Sequence, residues 1–242
     1  NDFAVAVAKA ALWIAEAQML QETEEIVHRA IEFLPIQSYS HIVEGNALRM
    51  DWENVLPKDR CSYIMGNPPF VGNTRLSEEQ KQDRQKIFAD NGGDLDYVAC
   101  WYKKAADFIQ GENTRCAFVS TNSICQGQQV TPLWQPLMNE GIKINFAYRT
   151  FVWDSESTLK AHVYCVIVGF SRQDLSPAFI YNDKQKIAAD NINGYLLNAP
   201  NIFIAKRKTP LGNVPQVIKG FQPTDNGYLI LDDNDKQKLL AQ

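Results

Sequence analysis

Along the first twenty positions Phe3, Val7, Ala11, Ile14 and Ala17 recur at spacings of three and four, behind an Asp2 placed to cap, which predicts an amphipathic helix to about Leu20. A second helix is predicted from Glu22 to Phe33, ended by Pro35, followed by a short extended piece, HIVEGNAL, and an acidic loop, DWENVLP. CSYIM then reads as a buried strand. Behind it NPPF forces a stop: Pro68 and Pro69 donate no backbone N–H, and the residue before a proline is biased away from helix.

The polar stretch LSEEQKQDRQKIFA is open between helix and loop, whereas Leu95, Val98, Trp101, Tyr102, Ala105 and Phe108 keep helical spacing through DLDYVACWYKKAADFIQ. CAFVST predicts a strand and GQQVTPLWQPLMNEG a helix stopped by Gly141. This alternation predicts an α/β sheet with helices on both faces. IKINFAYRTFVW and HVYCVIVGF are too close together for a helical crossover, so they predict an antiparallel hairpin. From about Ser171 the chain turns polar and irregular, which sets a soft boundary near 172: residues 1–172 as one domain and 173–242 as an added sheet or the start of another domain.

Composition narrows the classes. With 45% hydrophobic and 21% charged residues, the chain reads as globular, not as a coiled coil or a disordered tail. A formal charge of -4 gives no overall footprint for a phosphate backbone, so a nucleic-acid partner would need a local patch or another part of the protein. The five cysteines, with no CxxC, read as buried free thiols in a reducing compartment, and a cytoplasmic location is expected. No run of about 18 apolar residues and no signal-peptide order are found, so no membrane partner is expected. His28, His41 and His162 are too far apart for a short metal-ligand motif, and no metal site is expected.

The candidate chemistry sits at NPPF. In open α/β sheets ligands bind beyond the carboxyl ends of the strands, where Asn67 stands. An exocyclic amine is a poor nucleophile because its lone pair is delocalised. Two acceptors aimed at its hydrogens, the side-chain oxygen of Asn67 and the carbonyl of Pro68, favour attack as positive charge develops on the nitrogen. Pro69 stiffens the turn, and Phe70 offers a stacking face for a planar substrate. A sulfonium methyl as electrophile then needs neither a Cys or Ser nucleophile nor a metal. Without further context the same prolines are also what an ordinary turn contains.

With its neighbours, NPPF resembles the fourth motif of S-adenosylmethionine-dependent amino-methyltransferases, above all the DNA adenine N6 type, and most closely the large MmeI-like restriction-modification proteins. NDFAVAVAKAALWIAEAQ is similar to the helix after that family's second motif and GNALRMDW to its third. DLDYVACWYKKAADFI and RCAFVSTNSICQGQQV resemble the fifth and sixth, and FAYRTFVWDSESTLKAHVYCVIVGF the eighth. INGYLLNAPNIF to GYLILDD is similar to a linker towards a target-recognition domain.

The resemblance implies a Rossmann-like methyltransferase sheet with the hairpin at one edge, binding S-adenosylmethionine and acting on double-stranded DNA with a flipped adenine, through the full-length protein. It assigns Asn67, Pro68 and Phe70 to the adenine, with Pro69 shaping the turn, and Asp51, Leu48 and Phe3 to the cofactor. Phe151 or Trp153 would supply a second stacking surface, with Asp154 beside them. Arg75, Lys81, Arg84 and Lys86, or Lys206 to Lys208, would touch phosphates if they are more than solvated faces. The family's glycine-containing first motif has no counterpart, since Gly45, Gly66 and Gly72 stand alone; the chain therefore reads as an N-terminally truncated portion of a longer protein. Two other readings remain: a protein glutamine N5-methyltransferase, whose amide substrate the same turn would polarise, and an inactive methyltransferase-derived interaction module.

Overall fold

The computed structural model describes residues 2–29, 42–89, 92–153, 163–182, 185–204, 206–207, 212 and 232–240. Helix α1 runs unbroken over Asp2–Val27. The predicted break near Leu20 is absent because QETEE contains no Gly or Pro to stop the ladder. Of the predicted second helix, Glu22 to Val27 belong to α1, His28 and Arg29 have left the helix, and 30–33 lie outside the described residues. None of α1 is buried, and by length and composition alone it could cross a membrane.

Six strands form one sheet in the order β1-β2-β4-β3-β5-β6. They are β1 (Tyr63–Gly66), β2 (Arg115–Thr121), β3 (Lys143–Trp153), β4 (Val163–Ser171), β5 (Ala178–Asn182) and β6 (Gln185–Ala189). β1 is parallel to β2, and β4 is antiparallel to both β2 and β3. β5 is parallel to β3 and antiparallel to β6, so β1, β2, β3 and β5 share one direction and end on one edge of the sheet. The hairpin forms as expected, but it does not mark the margin, because β5 and β6 pair on beyond it. For the same reason the compact unit runs past 172, and the contacts divide between Asn1–Ala205 and Lys206–Gln242.

Helices α2 (Glu78–Phe88), α3 (Ala99–Phe108) and α4 (Val130–Asn139) fill the crossovers that parallel pairing demands. α2 resolves the open reading of LSEEQKQDRQKIFA: Ser77 and Gln80 form a reciprocal capping box. α4 buries Val130, Leu133, Trp134 and Leu137, one helical stripe, against the sheet. Tyr102 of α3 centres that core, its ring 5.3 Å from Phe118 and from Phe170 and 5.4 Å from Trp134, with its hydroxyl on Ser120 at 2.7 Å.

The opposite face differs. Tyr63, Met65, Ala117, Phe146, Ile167, Phe179 and Tyr181 line an open apolar groove of about 730 Å³. Gly169 is required there by close approach, since a Cβ would stand 2.0 Å from the Phe146 ring. The expected helices on both faces are thus found packed on one among the described residues. In the second unit, α5 spans Asp233–Leu240.

Candidate functional site

Two segments meet loop 94–97: the turn behind β1 and the strip GNALRMDW. β1 is held to β2 by parallel pairing from Tyr63↔Arg115 to Gly66↔Phe118, which fixes where Asn67 leaves the sheet. At that corner Asn67 is exposed, Pro68 buried, Pro69 exposed and Phe70 half-buried. Pro68 therefore roots the turn, while Asn67 and part of Phe70 stay accessible.

The chain leaves the turn under a grip from loop 94–97. Tyr97 donates its N–H to the Val71 carbonyl at 2.9 Å. Asn73 donates its N–H to Asp96 Oδ1 at 2.8 Å and its side-chain amide to the Asp94 carbonyl at 3.2 Å. Asp96 is 8% exposed, and its Oδ2 accepts from Ser123 Oγ at 2.6 Å. These pairings span more than twenty residues of sequence, beyond the reach of any local pattern. The only sequence sign was a run of acceptors, DLD, at the start of a helical segment.

The strip is built as a separate tight unit. Leu48 N–H donates to Asn46 Oδ1 at 2.9 Å, Trp52 Nε1 donates to the Ala47 carbonyl at 2.8 Å, and Lys104 Nζ donates to the Leu48 carbonyl at 2.9 Å and to that of Met50. Lys104 also lies 5.4 Å from the Trp52 ring centre, a cation–π contact. Burial lowers the Lys104 pKa, against a smaller opposing pull from Asp51.

A buried carboxylate ties the strip to the loop. Asp83 of α2, 2% exposed, accepts from Arg49 Nε at 2.6 Å, Asn46 Nδ2 at 2.9 Å and the Tyr97 hydroxyl at 2.8 Å. Desolvation pushes its pKa up, but the hydrogen bonds from Arg49, Tyr97 and Asn46 outweigh it and the net shift is downward. Burial and the Asp83 charge raise the Tyr97 phenol in turn.

Of the residues assigned to a cofactor, Asp51 is exposed and caps the turn at Trp52–Asn54 by accepting the Glu53 N–H at 3.0 Å. Leu48 is packed in the core at 7% exposure, and Phe3 stands on α1 at 75%. An exposed carboxylate at a turn is chemically suited to accept from an amino group, whereas Leu48, in the core, leaves little surface for a ligand. Among the charged candidates, Arg84 donates to the Leu95 carbonyl at 2.7 Å and Lys81 pairs with Glu78 at 2.6 Å, while Arg75 and Lys86 are exposed. Lys206 and Arg207 belong to the second unit, and Lys208 and Asp154 lie outside the described residues.

Beside the turn's exit, along the strand ends, runs a polar groove of about 420 Å³ lined by Asn73, Asp94, Ser123 and residues 126–129. Gln126 also lines a second hollow, of about 280 Å³, with Arg149, Thr150, Asn182 and Tyr195. Arg149 reaches it because β3 bulges between Tyr148 and Phe151, and the guanidinium donates twice to the Leu196 carbonyl, at 3.1 and 3.0 Å. Past the bulge Phe151 and Trp153 place their rings 6.5 Å apart, Trp153 37% exposed. Neither Gln126 nor Arg149 carried a periodic signal. Burial pushes the thiols of Cys100, Cys116 and Cys125 up to about 12, which keeps them protonated and unreactive.

Comparison with known proteins identifies the family. The chain is 39% identical over 236 residues to DNA methyltransferase A of Bacillus subtilis (strain 168), a match over 95% of the chain and 27% of that protein. The solved Type IIL restriction-modification enzyme MmeI in complex with DNA superposes with a TM-score of 0.93 and 40% identity, over 100% of this chain and 33% of that one. The chain thus spans about a third or less of the length of these relatives. A family model described as MmeI, DNA-methyltransferase domain, matches residues 1–182, which takes in α1, the strip, the turn and strands β1 to β5. The chain belongs to the MmeI DNA-methyltransferase-domain family.

Proposed function

We propose that this chain supplies the target-side half of an adenine N6 methyltransferase of restriction-modification type, acting on double-stranded DNA with the adenine turned out of the helix. The observation that carries the reading is the corner itself. An exposed Asn67 amide, the carbonyl of a buried Pro68 and a half-buried Phe70 stand together at the carboxyl end of a parallel strand. The solved relative's complex with DNA supports the choice of acceptor.

When bound, S-adenosylmethionine supplies an electrophilic methyl group on sulfur. Asn67 Oδ1 and the Pro68 carbonyl accept the two hydrogens of the adenine amine and hold its lone pair towards that carbon. These oxygens would stabilise the positive charge that develops on the amine nitrogen as it takes up the methyl group in exchange for one proton, which leaves to water. Phe70 stacks on the purine and keeps its plane fixed. Asp51 would hold the adenine amino group of the cofactor.

The test is methyl transfer by the intact protein to an adenine-containing duplex, with calorimetry for the cofactor. Asn67→Ala should lower the single-turnover rate by about 10²- to 10³-fold and leave cofactor affinity unchanged, because its contacts strengthen only as charge develops. Asp51→Ala should weaken cofactor binding instead. Parallel loss of cofactor binding in both, or transfer to a protein glutamine in place of DNA, would overturn the assignment.

A further inference from the structure

We propose that Asp96 is a positioning residue for methyl transfer: its carboxylate fixes the exit of the 67–70 turn against the end of β2, and so sets where the two amine acceptors stand. This rests on the reading of that turn as the acceptor site.

Backbone rigidity at Pro68 and Pro69 fixes the shape of the turn but not its pitch relative to the sheet. Its entry is set by pairing of β1 with a single described neighbour, β2. Its exit has no strand at all and is held by hydrogen bonds. Three of them come from loop 94–97, through the Val71 carbonyl and the two amides of Asn73. Asp96 alone among these groups also ties its side chain to the segment just past β2. One oxygen takes the Asn73 N–H at 2.8 Å, and the other takes Ser123 Oγ at 2.6 Å, just past the carboxyl end of β2. Its own N–H donates to Gln129 Oε1 at 3.1 Å, ahead of α4. A single buried residue thus references the turn through its carboxylate to the segment just past the strand beside it, and through its own N–H to the start of the helix that covers that strand.

The chemistry of the pairings predicts how substitution behaves. Both partners of the carboxylate are neutral donors, and Ser123 Oγ lies 2.9 Å from Thr121 Oγ1 in a pair where either can donate. An asparagine at 96 can accept from Asn73 with its oxygen and donate from its nitrogen to Ser123, which then donates to Thr121. Asp96→Asn should therefore preserve the link, whereas Asp96→Ala removes it.

The experiment measures single-turnover methylation of an adenine-containing duplex, with affinities for S-adenosylmethionine and for the duplex, on the intact protein and its Asp96→Ala, Asp96→Asn and Asn67→Ala variants. Asp96→Ala should lower the rate by about 100-fold, as displaced catalytic groups do, with both affinities within about threefold of the parent. Asp96→Asn should recover the rate to within about fivefold, since its hydrogen bonds can be rebuilt.

Three outcomes overturn the proposal: an Asp96→Ala rate within about threefold of the parent while Asn67→Ala is inactive, an Asp96→Asn variant as slow as Asp96→Ala, or cofactor affinity falling together with the rate. If Asn67→Ala methylates at the parent rate, the reading of the turn itself fails instead. Where Asp96→Ala does not fold, Ser123→Ala breaks the same link with less disruption: it should lower the rate about fivefold at unchanged cofactor affinity, and a parent-like rate overturns the proposal.

Discussion

The two faces of the sheet are written by the same alternation of side chains along β2 and β4, yet they meet different surroundings. On one face Phe118, Val166, Val168 and Phe170 lie under α3 and α4 and are 2% exposed or less. On the other, Tyr63 and Met65 of β1 are 64% and 79% exposed over an apolar groove of about 730 Å³. The covered side also carries buried polar groups that are hydrogen-bonded, Asp83, Asp96 and Ser120. The comparison teaches that hydrophobic alternation marks what a residue can pack against. Whether it is packed is decided by the helices delivered to it, and here the side-chain anchors of the 67–70 corner come from the covered side, in addition to the backbone pairing of β1 with β2.

The largest effect expected from this difference is at Phe170. Its ring stacks on Tyr102 of α3 at 5.3 Å and is tilted against Phe118 of β2 at 6.0 Å, so truncation opens a cavity that neighbours on two packed elements cannot close. Phe170→Ala should destabilise the chain by about 3–5 kcal/mol. Urea denaturation would measure it, and a loss below about 1 kcal/mol would mean that this face is no better packed than the open one.

That face was legible in the sequence for physical reasons. Helical spacing in α3 and α4 and the hairpin's two apolar runs are local patterns, and burial of one face is what local patterns record. The strand–turn boundary at Asn67 was legible because proline acts on its immediate neighbours. The unbroken α1 and the bulge that aims Arg149 were not, and the addition of β5 and β6 was legible only as one of two readings of the segment after 172. Each depends on pairings made across the chain, or on the absence of a breaker where composition changed at Gln21 to Glu25. The grip on Asn73 and the Asp83 cluster were hidden for the same reason. Asn46, Asp83 and Tyr97 become neighbours only once three elements have docked.

An intermediate effect is expected at Asp83, where the covered side replaces apolar packing with a charge. Its folded pKa is depressed below the ordinary 3.8 by hydrogen bonds, so the stability it contributes is present above that value and is lost as pH falls through the folded pKa. Asp83→Asn keeps an acceptor but loses the charge beside Arg49, itself 43% exposed, and should cost about 1–3 kcal/mol at pH 7. The gap between parent and variant should close below about pH 4, as the parent protonates. Denaturation curves at neutral and acid pH decide it, and a gap that does not change with pH would show that the charge contributes nothing.

The smallest effect is expected on the open face, and it is the sharpest test of the comparison. Met65 sits on β1 two residues before Asn67, in register with Ala117, with most of its surface in solvent. Truncating an exposed side chain removes little buried area, so Met65→Ala should change the stability of this chain by no more than about 0.5 kcal/mol. The strand's pairing with β2 is made by backbone groups that the substitution leaves intact, so the corner at Asn67 should keep its position. A measured loss above about 2 kcal/mol would mean that Met65 is buried in solution. The two faces would then differ in what covers them, and the corner would be anchored from both.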